Sequence, residues 1–115
     1  MKIVVDDIFS VDEPANIYNF STLVYADIGV DDGSDATDSF SFYVCTPDYL
    51  KDAVSQNTYK LGRGLIIVSV FNMDVIEKAV HDACNEACKG TKNWEEFSNS
   101  LSKFGISEFE NYMGN

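Results

Sequence analysis

The chain has 115 residues, of which 45% are hydrophobic and 23% charged, and its formal net charge is −11 at pH 7. This length and composition predict a single globular domain over residues 1–115 and exclude a disordered chain. The negative charge argues against binding to nucleic acids or anionic membranes, because both are negatively charged themselves. It would either attract a basic protein or serve only to keep the chain soluble.

The first half of the chain predicts three β-strands. Residues 2–9 and residues 17–30 are rich in β-branched and aromatic side chains. In residues 39–46 apolar and polar side chains alternate, which is the period of a half-buried strand. Asp32-Gly33 lies between the last two strands and is a hairpin signal. The apolar side chains of the third strand are expected to share one face: Phe40, Phe42 and Val44.

The middle of the chain predicts a helix and then a fourth strand. Thr46 suits the N-cap position and a proline follows it, so residues 47–55 are predicted to form a short helix. Leu50 and Val54 are expected to face inward from this helix. Residues 65–71, LIIVSVF, are an almost continuous apolar run. Such a run predicts a strand that is buried on both faces and therefore central in the sheet.

Two further helices are indicated by their capping residues. Asn72 can cap a helix over residues 73–89, and Gly90 suits the position after its end. Asn93 and Glu96 form a capping box for a third helix. The resulting order, β-β-β-α-β-α-α, predicts an α+β fold: a mainly antiparallel sheet with helices packed on it.

The stretch VDDGSDATD, residues 30–38, concentrates carboxylates around a glycine. No frame of an EF-hand loop fits it, because starting at Asp27 or at Asp31 misplaces both the ligands and the glycine. Two interpretations remain open, a solvated hairpin turn and an acidic recognition loop. The expected contact residues are the four aspartates of this hairpin and a second acidic patch in the preceding loop: Asp31, Asp32, Asp35, Asp38, Asp12 and Glu13.

Metal binding and catalysis are both disfavoured by the sequence. His81, Cys84 and Cys88 would lie on one face of a helix, with Cys45 as a conceivable fourth zinc ligand. Cys84, however, falls within the apolar stripe, where a buried inert thiol is the ordinary case. Nucleotide-binding and hydrolase motifs are missing, and a single histidine limits acid–base chemistry. We expect no metal, no cofactor and no enzymatic activity.

The cysteines and the N-terminal residues also indicate a location. The chain has three cysteines, an odd number, and its first residues lack the apolar region of a secretory signal. No segment of the sequence approaches the 18 apolar residues of a membrane span. The sequence therefore predicts a soluble, reduced, cytoplasmic protein.

Three motifs occur in order along the chain. They are F-x-V-x-T-P-x-aromatic-L from Phe42 to Leu50, G-R at Gly62 before an apolar strand, and E-F-E-[DN]-Y from Glu108 to Tyr112. Together they resemble the immunity protein 8 family, small cytoplasmic proteins of bacterial polymorphic toxin and contact-dependent growth inhibition systems. The chain departs from the family pattern at Ser107 and Leu61, where a tryptophan and another aromatic residue would be expected.

The resemblance implies a protein that binds and neutralises a cognate secreted toxin domain by direct protein–protein contact. Many such toxins are nucleases with basic surfaces, so a basic partner would suit the acidic charge of this chain. The alternative is an acidic interaction module or nucleic-acid mimic that inhibits a basic DNA- or RNA-binding protein. A mimic would need a regular stripe of carboxylates, whereas the carboxylates of this sequence cluster at turns.

Overall fold

The computed structural model describes residues 1–33, 36–57 and 64–109. Within these residues one mixed sheet has the strand order β1-β2-β3-β4, and β5 also pairs with β3. The α+β fold and the predicted order of elements are confirmed. The elements are β1 (Ile3–Ser10), β2 (Ser21–Val30), β3 (Thr37–Cys45), α1 (Pro47–Asn57), β4 (Leu65–Ile67), α2 (Met73–Cys88), α3 (Trp94–Leu101) and β5 (Ile106–Ser107).

One face of the sheet, called here the covered face, carries the hydrophobic core. In the antiparallel pair β2–β3, directly opposed residues share a face, and Val24 lies opposite Phe42. Phe42 is fully buried, as are Ile76 of α2 and Phe97 of α3, which belong to the same core cluster. The predicted alternation of β3 is therefore confirmed. The buried strand residues of this core are Val24, Ala26, Ile28, Phe40, Phe42 and Val44.

The fourth strand differs from its prediction. β4 has only three residues, Leu65–Ile67, and lies at the edge of the sheet, parallel to β3. The prediction of a central strand over residues 65–71 is wrong. The run divides instead: Val68 turns into the core, and Phe71 packs edge-to-face on Phe20 with 5.4 Å between ring centroids. Half of this apolar run thus belongs to a loop.

The helix ends follow from local hydrogen bonds. The Asn72 side chain accepts from the backbone N–H of Asp74 at 2.9 Å, which confirms Asn72 as the N-cap of α2. Gly90 has a φ of 73° and follows the end of the helix, as expected for that position. At α3 the Asn93 side chain accepts from the backbone N–H of Glu96 at 2.9 Å, so this N-cap is also confirmed.

The first helix begins at Pro47, as predicted, but is more exposed than expected. The Thr46 carbonyl accepts from the Leu50 N–H at 3.2 Å, and the Thr46 hydroxyl accepts from the Phe20 N–H at 3.1 Å. No residue of α1 is buried, and Val54 is 40% exposed. The expectation that Val54 faces inward is therefore wrong.

A β-bulge interrupts the pairing of β1 with β2. Asp6 lies opposite Asp27 and Phe9 lies opposite Tyr25, so β1 contains one residue more than β2 between these pairs. Asp7 has a φ of 50°, in the left-handed region. The extra residue reverses the alternation of β1 beyond this point. Ile8 consequently packs against the core, and Phe9 points to the opposite face of the sheet.

Candidate functional site

The opposite face of the sheet, called here the open face, carries exposed apolar side chains. Phe9 is 52% exposed and Ile67 is 56% exposed. The face is formed by outward residues of all five strands, because the register places every second residue on this side. Its apolar members are Phe9, Leu23, Tyr25, Tyr43, Leu65, Ile67 and Ile106.

These apolar side chains form rows across the strands. Phe9 lies opposite Tyr25 with 5.7 Å between ring centroids and 24° between ring planes, which is a stacked pair. Further along, Leu23 lies opposite Tyr43, and Tyr43 lies beside Leu65 of β4. Neighbouring strands are about 4.8 Å apart, so side chains of one row touch or nearly touch. The result is an apolar surface of two neighbouring rows, which Ser41 interrupts beside Tyr25 and which meets α1 at Tyr43.

The Tyr43 hydroxyl of this surface is paired with a hydroxyl of α1. Its distance from the Tyr49 hydroxyl of α1 is 3.3 Å. A hydrogen bond with Ser21 lowers the pKa of Tyr43, but the hydrogen bond with Tyr49 and partial burial together outweigh it. The pKa of Tyr43 therefore lies above its ordinary value of 10.0, and the phenol stays neutral at physiological pH.

Next to the apolar rows the same face carries an acidic pocket, defined by Asp6, Asp7, Asp27 and Asp31. These residues line a cavity of about 380 Å³ together with Val4, Gly29 and the start of β3. Asp6 and Asp27 lie directly opposite each other, and neither has a basic partner among the described residues. Like charges in this position repel, so the pocket favours a cation.

Glycine at position 29 sets the shape of this pocket. Gly29 is buried and lies opposite Thr37 at the end of the β2–β3 ladder. A Cβ at this position would collide with the Ala36 carbonyl oxygen. Only glycine allows the chain after the hairpin to return so close to β2. Ala36 therefore lies close against Gly29 at the wall of the acidic pocket.

The four predicted hairpin residues have different surroundings. Asp31 and Asp32 are exposed, and the Asp31 carboxylate lies 3.6 Å from the Lys2 ammonium. Asp35 lies outside the described residues. Asp38 is half-buried, and its carboxylate accepts a hydrogen bond from the Trp94 indole N–H at 3.2 Å. Asp38 thus holds α3 to the sheet, whichever other role it has.

The second predicted patch lies at the far end of the sheet. Asp12 and Glu13 follow β1 and are exposed, and the Asp12 carboxylate accepts from the Thr22 hydroxyl at 2.7 Å. The second patch follows Val11, whose backbone N–H donates to the Leu23 carbonyl. Leu23 is seven residues along β2 from Val30, which precedes the hairpin aspartates. At about 3.4 Å per residue, the two patches are roughly 24 Å apart. The structure does not bring them together.

Comparison with protein families identifies the chain. The family model described as Immunity protein 8 matches residues 2–112. The chain belongs to the immunity protein 8 family. The resemblance drawn from the sequence motifs is thereby confirmed, and the family implies a protein that neutralises a cognate toxin. No curated protein and no solved structure matches the chain.

Sequence reasoning missed three carboxylates of this immunity protein's acidic pocket: Asp6, Asp7 and Asp27. Asp27 is two residues from Tyr25 in β2, so the two side chains lie on the same face of the sheet. This spacing could have been used to predict that Asp27 faces outward. The position of Asp7 depends on the bulge, and nothing in the sequence announces that bulge. The predicted contact residues themselves remain a prediction.

The histidine and cysteines of the immunity protein are spread between core and surface. Cys84 is 2% exposed, and burial, with a smaller effect of nearby Cys88, raises its pKa to about 12. His81 is exposed, and the Cys88 thiol lies 3.7 Å from the Met1 carbonyl oxygen. In the described ranges no three His, Cys, Asp or Glu side chains are arranged to hold a metal ion. None of the helices described is long and apolar enough to cross a membrane.

Proposed function

We propose that this immunity protein neutralises its cognate toxin by binding it directly in the cytoplasm, and that the bound toxin domain presents a basic surface. The observation that supports this most is the acidic pocket, in which Asp6 and Asp27 face each other with no basic partner among the described residues. A lysine or arginine of the toxin would relieve their repulsion. The net charge of −11 would add long-range attraction.

A nuclease-type toxin fits this chemistry. A nuclease binds phosphates through lysine and arginine side chains, so its functional surface is basic. An acidic inhibitor of such a surface associates quickly, because the opposite charges steer the encounter. Inhibition then requires only that the toxin surface is occupied, and no reaction by the immunity protein is needed.

The first test is a titration of the full chain with the toxin domain encoded immediately upstream of its gene, at about 0.05 M and about 0.5 M salt. We expect a dissociation constant in the nanomolar range or below, and a clear loss of affinity at high salt. Tight binding that does not depend on salt would remove the basic surface from the proposal. No binding, and no protection of cells that express the toxin, would overturn it.

Two charge variants locate the electrostatic contact. Asp31→Asn removes a charge from the acidic pocket, and Glu13→Gln removes one from the second predicted patch at the other end of the sheet. If the pocket is the main electrostatic contact, the first variant lowers the association rate and the salt dependence more than the second. A larger effect of Glu13→Gln would place the contact at the second patch. Similar inhibition of several unrelated nucleases would favour the nucleic-acid mimic instead.

A further inference from the structure

The open face of the sheet supports a more specific statement, which rests on the proposed function. We propose that this face is the surface that docks the toxin, and that it receives an apolar patch of the toxin flanked by lysine or arginine side chains. The apolar rows would form the centre of the interface. The acidic pocket beside them would form its charged rim.

The open face is apolar in composition. An antiparallel sheet with one solvated side normally carries polar residues on that side. Here Phe9, Leu23 and Ile67 are exposed on it, and Tyr25 and Tyr43 are half-buried. A contiguous exposed apolar surface with a polar rim is typical of a protein interaction site.

The open face is already ordered for binding. Its side chains stand on paired strands, and Phe9 and Tyr25 fix each other by stacking. Aromatic side chains have few rotamers to lose, so they bind at a low entropic cost and are frequent hot spots. The face can therefore dock a partner without rearrangement.

The size of the open face suits the centre of an interface. Three strand spacings of about 4.8 Å and six residues of about 3.4 Å give a face of roughly 15 by 20 Å, or about 300 Å². A stable complex buries about 800 Å² on each partner. The open face can thus form the desolvated centre of an interface, and the surrounding acidic residues are needed for the remainder.

The charge on the open face selects its occupant. Asp6 and Asp27 lie on the same face as Phe9 and Tyr25, one row away along the strands. A second copy of the chain would bring the same acidic charges and a further net charge of −11 against this face. A basic toxin domain would instead bring complementary charge, so the acidic row favours the toxin over self-association.

The test uses two substitutions at opposite sides of the face. Phe9→Thr on β1 and Ile67→Thr on β4 remove apolar area, and threonine keeps the strand preference. Val75→Ala is the control, because Val75 is 44% exposed on α2, the helix that packs over the covered face. Affinity, association and dissociation rates are measured with the upstream toxin domain at two salt concentrations.

We expect each open-face variant to weaken toxin binding about 10-fold or more and the double variant about 100-fold, through faster dissociation. The salt dependence should stay as in the unaltered protein, since no charge is removed. Val75→Ala should bind within about 2-fold of it. This combination would separate apolar docking from electrostatic steering.

Several outcomes would overturn the proposal. If the unaltered chain neutralises the toxin and both threonine variants bind as Val75→Ala does, the open face is not the docking surface, and the proposed function survives. If the unaltered chain does not bind the toxin, both statements fail. If sedimentation shows a dimer that Phe9→Thr dissociates, the face is occupied by a second copy.

Discussion

On the covered face, Phe40 and Phe42 are at most 1% exposed, whereas on the open face Phe9 and Ile67 are more than half exposed. Both faces belong to the same strands and contain aromatic and aliphatic side chains. The difference lies in what covers them, which is α2 and α3 on one side. Apolar residues stabilise the fold on the covered face, and on the open face the same chemistry remains available for a partner.

The largest expected effect comes from removing a ring on the covered face. Phe42→Ala should lower the free energy of unfolding by about 3–5 kcal/mol, because it leaves a cavity beside a fully buried core. Urea denaturation measures this change. Phe9→Ala is the matched variant on the open face and should cost about 1–2 kcal/mol, because Phe9 is only half buried and leaves no enclosed cavity. Comparable losses would show that the two faces do not differ as described.

The covered side should also show a pH effect that comes from Cys84. Because its pKa is about 12 in the folded chain against an ordinary 9.0, the thiol keeps its proton in the fold and loses it in the unfolded chain between these values. The contribution of the neutral thiol to the free energy of unfolding is fully present below pH 9. It declines as the pH rises above this value and is about 2 kcal/mol smaller at pH 10.5. Denaturation of the Cys84→Ala variant at pH 8 and pH 10.5 should lack this part of the decline. If the stability of Cys84→Ala declined with pH as much as that of the unaltered chain, the raised pKa of Cys84 would be contradicted.

The bulge that turns Phe9 outward can be tested at Asp7. Asp7→Val should lower the free energy of unfolding by about 1–2 kcal/mol, because a β-branched residue does not tolerate a φ of 50°. Asp7→Asn removes the same charge but tolerates this conformation, and it should change stability by less than about 0.5 kcal/mol. Thermal and urea denaturation of the pair provides the measurement. Equal losses would contradict the left-handed backbone.

The smallest expected effect is that of Asp27→Asn, which should raise stability but lower the affinity for the toxin. Asp27→Asn removes the repulsion with Asp6 across the strands and should raise the free energy of unfolding by about 0.2–1 kcal/mol. The same variant should bind the toxin more weakly and with less salt dependence, because a charge of the acidic pocket is lost. Ser39→Ala, on the same face opposite Asp27, is the control. A variant that gains stability without losing affinity would separate the pocket from the toxin.

The fold was largely predictable where a local pattern decides the structure. The alternation of β3 and the caps Asn72 and Asn93 involve neighbours in sequence, and these predictions are confirmed. The failure at residues 65–71 has a physical reason. An apolar run indicates that side chains avoid water, but it does not show whether the chain itself or a partner covers them.

The candidate site was less predictable because it depends on register. Asp38 is two residues from Phe40, so alternation alone could have placed it on the covered face, where it meets Trp94. The pocket at Asp6 and Asp27 is different, because it arises from pairing between separate strands. Charge density in the sequence indicated an acidic surface and Asp31, but not the other three carboxylates of the pocket.

The short strand β5 has a consequence for the order in which the open face is completed during synthesis. Ile106 pairs with Ser41, and the Glu108 side chain accepts from the Ser39 N–H, a link between residues 69 positions apart. Contacts this distant in sequence form late, after the intervening chain has been synthesised. A nascent chain still held on the ribosome before Ile106 emerges lacks one side of the open face. Translation must therefore pass this point before the complete face exists.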